Sequence, residues 1–199
     1  MNVEFEEYRN WIQKYISNHD TREVNFQNDV VKRLLEKLYP TYDIVYVYTK
    51  GCDAKNHDYY AYSGKYMDKN GKEKPTTPDL LICKNWDWYN SKNDSITYLA
   101  TVEVKSPYGS QAIYKKDFKD YYQSLVNQIK QHLSAQRIHK VIVTDTFKWE
   151  FYNETIYSHE DIVLVDRIPI GRGYTYKWKS NADSEFQELK KKLQEFLRN

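Results

Sequence analysis

Two segments of the sequence decide the fold: Pro78-Asp79-Leu80-Leu81-Ile82 and Tyr98-Leu99-Ala100-Thr101-Val102-Glu103-Val104-Lys105. Each contains a short apolar run, and the turn-rich segment 90–94 between them indicates two successive strands. Side chains alternate along a strand, so Glu103 and Lys105 project to one face while Val104 points away into a core. If the two strands are neighbours in a sheet, Asp79 and Glu103 converge.

Converging carboxylates at this place predict a metal site. Oxygen ligands suit Mg²⁺ or Mn²⁺, and the Val104 carbonyl is a further candidate ligand beside Asp79 and Glu103. Lys105 would lie next to the attacking water and orient it, or accept its proton if burial and neighbouring charge lower the pKa of Lys105. The pattern therefore predicts metal-dependent hydrolysis.

Acid-x-Lys tripeptides are frequent in this chain, so the spacing alone carries no weight. Three others occur: Asp53-Ala54-Lys55, Asp117-Phe118-Lys119 and Glu188-Leu189-Lys190. Two alternatives without catalysis stay open. Asp79 can simply turn the chain after Pro78. Glu103 and Lys105 can likewise form an ion pair on an exposed edge strand. The apolar flanks favour a central strand, in which charges are costly unless they are paired or bind a metal.

Apolar spacing along the rest of the chain predicts an α/β order of elements. Helices are predicted at 2–17, about 25–38, about 116–136 and 183–197. Strands are predicted at 44–48, near 59–66, 79–83, 96–105, 140–144, 148–152 and 161–165, with a turn at Asn70-Gly71. Helices, a strand meander, a crossover helix, further strands and a closing helix predict an α/β sandwich with a mixed sheet. We expect one domain over 1–199, with a core at about 25–165 and the helices 2–17 and 183–197 as additions.

The composition excludes several classes of protein. The chain has 199 residues, 20 of them tyrosine, and 30 Lys and Arg against 28 Asp and Glu. It is too aromatic for a disordered chain, and no apolar run is long enough to cross a membrane. The near-neutral charge excludes a strongly basic nucleic-acid wrapper but allows a local basic face.

Cysteine and histidine placement favours a reduced compartment without a zinc centre. Cys52 and Cys83 lie far apart, and the five histidines lack the spacing of metal ligands, so we expect the histidines at the surface. The acidic start, 1–7, lacks the apolar region of a secretory signal. We therefore expect a cytoplasmic protein.

The Pro-Asp pair, the intervening hairpin and the Glu-x-Lys tripeptide resemble the PD-(D/E)xK nuclease superfamily. As in that fold, a helix precedes the first strand, and a helix and a strand follow Lys105. The series Gln128-Ile129, then Lys140-Val141-Ile142-Val143-Thr144-Asp145 and Trp149-Glu150-Phe151-Tyr152, is similar to the region after the catalytic lysine in nuclease domains of type I restriction subunits. The resemblance covers roughly residues 25–165.

This resemblance implies a restriction-endonuclease-like fold, a mixed β-sheet flanked by helices, and a nuclease that hydrolyses phosphodiester bonds with Mg²⁺ or Mn²⁺. Its substrate would be DNA, in a restriction, defence, phage or repair context, with the protein acting as a homodimer or as one subunit of a larger complex. Asp79, Glu103 and the Val104 carbonyl would hold the metal, Lys105 would act on the water, and Gln128 would support them.

The first helix departs from the pattern of the superfamily. Many members carry a glutamate there that helps to hold the metal or its waters. The matching place here is Gln27, with Asp29 and Glu36 as acidic candidates nearby. The contribution of this helix, and with it the number of metal ions, stays open.

Two segments are candidates for nucleic-acid contact. Just past the site lie Lys115, Lys116 and Lys119, which can follow a phosphate backbone. The stretch 171–179 interleaves aromatic residues with Arg172, Lys177 and Lys179, a pattern that suits phosphates and bases, although a β-hairpin with a solvated face explains it equally well.

Two functions of other classes remain as alternatives. A nuclease fold without activity can serve as a nucleic-acid-binding or protein-interaction module. An RNA-binding protein can use its tyrosines to stack on single-stranded bases.

Overall fold

The computed structural model describes residues 2–46, 65–87, 94–108, 113, 119–135, 137–154, 161–170 and 173–198. Its helices are α1 (Phe5–Ser17), α2 (Glu23–Phe26), α3 (Arg33–Leu38), α4 (Lys119–Leu133) and α5 (Ala182–Arg198), and a π-helical segment, Gln27–Lys32, joins α2 to α3. The strands are β1 (Asp43–Tyr46), β2 (Lys65–Met67), β3 (Glu73–Pro75), β4 (Leu80–Lys84), β5 (Thr97–Val104), β6 (Lys140–Thr144), β7 (Lys148–Asn153), β8 (Asp161–Val163), β9 (Val165–Ile170) and β10 (Gly173–Trp178).

Among the described residues, six strands form one mixed sheet in the order β1-β4-β5-β6-β7-β8. The strands β1, β4 and β5 make an antiparallel meander, β5 pairs with β6 in parallel, and β7 and β8 follow antiparallel. A parallel pair needs a crossover connection, and α4 lies within the connection from β5 to β6. The predicted α/β fold with a mixed sheet is therefore confirmed, and β4 and β5 are neighbours.

Apolar side chains cover both faces of the sheet. On one face, Val102, Val104 and Ile142 pack in the same core as residues of α1, α3 and α5. On the other face, Val141 and Val143 pack with apolar residues of α4. Because neighbouring side chains of β5 point to opposite faces, Glu103 and Lys105 face α4. The sheet thus directs the two charged residues beneath a helix.

Several boundaries differ from the sequence-based expectation. The second predicted helix begins at Glu23 instead of about residue 25. It also passes through a π-helical segment, and such segments are rare but, where they occur, often lie at functional sites. The predicted strand 161–165 divides at Leu164 into β8 and β9. The strand predicted near 59–66 falls largely outside the described residues, whereas the turn at Asn70-Gly71 is present, with Gly71 at a φ of 70°.

The strands β9 and β10 form a separate two-stranded sheet, and β2 and β3 form another. Within the described ranges, no helix has the length and apolar character needed to cross a membrane.

Candidate active site

A buried ion pair joins Glu103, near the end of the central strand β5, to Lys105, directly after that strand. Their exposed fractions are 4% and 3%, and Lys105 Nζ lies 2.5 Å from Glu103 Oε1. Beyond the end of β5, the Lys105 N–H donates to the carbonyl of Thr144 at 2.8 Å, which extends the parallel contact with β6. The pair therefore does not occupy an exposed edge strand. Burial of this kind is costly unless every charge has a partner.

Asp79 reaches the same place from the residue before β4. Its Oδ2 accepts the backbone N–H of Val104 at 2.7 Å, so the carboxylate is held at the middle residue of Glu103-Val104-Lys105. Its own carbonyl accepts a hydrogen bond from Gln27 Nε2 at 3.2 Å. Asp79 thus joins β4, β5 and the π-helical segment instead of merely turning the chain after Pro78.

Glu23 is a third carboxylate at the site, and the sequence reasoning missed it. It lies half-buried in the first turn of α2 and accepts the backbone N–H of Ser106, the residue after Lys105. The Ser106 hydroxyl donates to the Thr21 carbonyl at 2.6 Å, which ties the start of α2 to this segment. The available signal was its position one helical turn before Gln27, because residues four apart share a helix face.

His132 is the second residue that the sequence reasoning missed. This side chain of α4 is 4% exposed, and its Nε2 lies 3.4 Å from Glu103 Oε2. Its Nδ1 has no hydrogen-bond partner within the described part of the chain. The expectation of surface histidines is wrong here, because His132 continues the apolar face of α4 that Leu125 and Ile129 begin.

The charges of the cluster shift each pKa in a definite direction. Burial, followed by the charge of Glu103, raises the pKa of Asp79 well above its ordinary value. Burial also raises the pKa of Glu23. Burial alone would raise the pKa of Glu103 too, but His132 and Lys105 outweigh it and the pKa is lowered.

Lys105 keeps its proton in this arrangement. Burial alone would lower its pKa, but Glu103, Glu23 and Asp79 outweigh burial and raise it. The sequence alone leaves open whether the environment lowers the pKa of Lys105 so that this residue accepts a proton. The direction found favours an ammonium group that orients water or contacts phosphate.

The chemistry of the donor set suits a hard divalent cation. Among the described residues, three carboxylates face one ammonium group. A bound cation would favour the ionised form of Asp79, whose pKa is raised by burial and then by the charge of Glu103. Within the described ranges, no three His, Cys, Asp or Glu side chains already stand in an arrangement that could hold a metal. Lys105 occupies one oxygen of Glu103, and the Val104 amide occupies one oxygen of Asp79.

The supporting residues named from the sequence have different positions. Gln27 contacts the Asp79 carbonyl, as described above. Gln128 lies half-buried on α4, one turn before His132, and no hydrogen bond joins its side chain to another described residue. Asp29 is exposed and accepts the Tyr15 hydroxyl, and Glu36 pairs with Lys32, so neither acid joins the cluster.

Most of the candidate nucleic-acid contacts lie outside the described residues. Lys115, Lys116 and Arg172 lie outside the described residues, as does the side chain of Lys119. Lys177 is exposed on β10, and Lys179 follows that strand half-buried. The β9–β10 sheet does touch the segment after Lys105, because the Tyr174 hydroxyl donates to the Pro107 carbonyl.

Comparison of the chain with known protein families, with curated proteins and with solved structures finds no match.

Proposed function

We propose that the protein is a nuclease that uses Mg²⁺ or Mn²⁺ to hydrolyse phosphodiester bonds, with DNA as its substrate. The observation that carries the proposal is the meeting of Asp79, Glu103 and Lys105 on neighbouring strands, with Glu103 and Lys105 buried. A buried ion pair stabilises a fold weakly compared with apolar packing, so its presence beside two further carboxylates favours a catalytic role.

The topology supports a restriction-endonuclease-like fold. The helical segment α2–α3 precedes three antiparallel strands, β1, β4 and β5, and α4 then leads to the parallel strand β6. This is the order that the resemblance to the PD-(D/E)xK superfamily implies. Asp79 stands at the start of the second of these strands, and Glu103 and Lys105 stand at the end of the third.

Each residue of the cluster has a defined task in this proposal. Asp79 and Glu103 would hold the cation, with Glu23 as the third carboxylate, and the cation would stabilise the charge that develops on the phosphate. The Val104 amide fixes the carboxylate of Asp79, and His132 fixes that of Glu103. The Lys105 ammonium orients the attacking water and contacts the phosphate.

One observation favours a second candidate, a nuclease fold that binds nucleic acid or protein without cutting. Lys105 occupies Glu103 Oε1, and within the described residues no trio of His, Cys, Asp or Glu side chains is arranged to hold a metal. A site that stays closed in this way would bind no cation. The cytoplasmic location and the action as a homodimer or as a subunit of a defence, phage or repair complex stay predictions.

The deciding experiment incubates the purified protein with plasmid, linear and branched DNA in Mg²⁺, Mn²⁺ or EDTA. We expect cleavage that requires a divalent cation and that is lost in Asp79→Ala and in Lys105→Ala. The matched control is Lys148→Ala, which removes another lysine from a mostly buried pair, with Glu150 on β7. Unchanged cleavage in both site variants would show that Asp79 and Lys105 do not form the active site. Binding of DNA without cleavage in every metal would support the second candidate.

A further inference from the structure

A polar groove with a volume of about 550 Å³ lies between the β2–β3 hairpin and α4. Its lining includes Lys69 and Lys74 from the hairpin side and Lys130 from the helix side. All three side chains are exposed, so their charges face the solvent-filled space. None of them was among the nucleic-acid contacts expected from the sequence.

The groove carries a net positive charge. Three lysines stand against one acid, Asp68. The Asp68 carboxylate is already committed, since Oδ1 accepts the N–H groups of Asn70 and Lys72 at 2.8 and 2.9 Å and Oδ2 pairs with Lys74 at 2.9 Å. Lys69 and Lys130 form no ion pair with any other described residue, so both ammonium groups remain able to bind an anion.

The uncharged residues of the lining suit a phosphodiester backbone. Asn127 and Gln131 of α4 present amide groups, which donate hydrogen bonds to phosphate and sugar oxygens in protein–nucleic acid complexes. Tyr66 of β2 adds an aromatic ring, the kind of group on which bases stack. A small-molecule site would be more enclosed and more apolar than this groove.

Both sides of the groove lie close along the chain to residues of the candidate active site. The hairpin ends at Pro75, and the chain reaches Asp79 after only three further residues. On the helix side, Gln131 directly precedes His132, which contacts Glu103. The groove is therefore linked to the carboxylate cluster by short stretches of chain on two sides.

We propose that this groove holds the phosphodiester backbone of the nucleic-acid substrate on one side of the bond that is cut. The inference rests on the proposed nuclease function, and it names a surface that the whole-chain charge of +2 does not reveal. Such a protein must gather its cations locally to bind a polyanion.

The test measures binding of the 199-residue protein to a fluorescein-labelled 20-base-pair DNA duplex, and to RNA of the same sequence, in EDTA over a range of KCl concentrations. The groove variant is Lys69→Ala with Lys130→Ala. The matched control is Lys14→Ala with Lys191→Ala, which removes two exposed lysines from α1 and α5. Thermal unfolding of both variants checks that the fold is intact.

We expect the slope of log K against log[KCl] to fall by about 2 in the groove variant and to stay unchanged in the control. The DNA and RNA arms identify which polymer binds more tightly. Equal slopes in the two variants, in a protein that still binds or cuts DNA, would overturn the groove while leaving the nuclease intact. If the wild-type protein neither binds nor cuts either polymer, both proposals fail together.

Discussion

The carboxylate of Asp79 accepts the backbone N–H of Val104 at 2.7 Å. This single contact links the residue before β4 to the middle of the Glu103-Val104-Lys105 segment at the end of β5. Because the acceptor is a side chain and the donor is a main-chain group at the end of a buried strand, the carboxylate has one fixed position. The three residues therefore form one site instead of two unrelated charged features.

Glu23 is expected to contribute to cation binding. Replacing it by Gln keeps the shape of the side chain and its hydrogen bond to Ser106 but removes a negative charge from the cluster. We expect the Mn²⁺ concentration that gives half-maximal cleavage to rise by about 10–100-fold, the usual effect of losing a supporting group at a metal site. A titration of cleavage rate against Mn²⁺ measures it.

The control for Glu23→Gln is Glu185→Gln, which removes an acid from the first turn of α5. That change weakens the favourable interaction with the helix dipole without altering the site. If the two variants require the same Mn²⁺ concentration, Glu23 only stabilises its helix and does not contribute to cation binding.

His132 is expected to act by holding Glu103 in place. His132→Ala removes the group that lies 3.4 Å from Glu103 Oε2, so the carboxylate gains freedom and the Mn²⁺ requirement rises by about tenfold or more. His132→Gln, whose amide can also donate to a carboxylate, should restore part of the loss. If His132 has only a structural role, His132→Ala will change the thermal stability but leave the Mn²⁺ requirement of the folded protein unchanged.

Tyr8 is expected to stabilise the fold through its hydroxyl. This fully buried group donates to the Thr146 carbonyl at 2.7 Å and accepts from Trp149 Nε1 at 3.3 Å. Tyr8→Phe leaves both partners buried without it, which should lower the free energy of unfolding by about 1–3 kcal/mol in a urea titration. Tyr176→Phe, at a half-buried hydroxyl, should cost less, and an equal loss would contradict this account.

Arg167 is expected to be essential for stability because it neutralises a buried acid. Its Nη2 lies 2.6 Å from Asp145 Oδ2, and Asp145 is fully buried. Arg167→Ala leaves that charge without its cation and should cost about 3–5 kcal/mol of unfolding free energy. The exposed pair of Arg22 and Asp20 is the comparison, and Arg22→Ala should leave the urea midpoint nearly unchanged.

The sequence predicted the parts of this protein that depend on local patterns. The apolar runs before Cys83 and Glu103 identified two strands, and their charged ends placed Asp79 beside Glu103. Period-two alternation also predicted that Val104 is buried while Glu103 and Lys105 share the other face. These features follow from neighbouring residues, so one sequence suffices to find them.

The remaining parts depend on contacts between distant segments. Glu23 lies 80 residues before Glu103 along the chain, and its helical spacing from Gln27 does not by itself indicate that the two carboxylates meet. His132 looked like a surface residue because it has no ligand spacing, and the face of α4 that packs on the sheet decides its position. The direction of the Lys105 pKa shift likewise required all three carboxylates to be located first.

A crystal structure with Mn²⁺ would show whether Asp79 and Glu103 share a divalent cation beside Lys105, as we propose. This proposal predicts an anomalous-scattering peak within coordination distance of both carboxylates, about 2.1 Å for a hard cation of this size. It also predicts that Glu103 Oε1 and Lys105 Nζ move apart from their present 2.5 Å. An empty site at saturating Mn²⁺, with that contact unchanged, would contradict the claim.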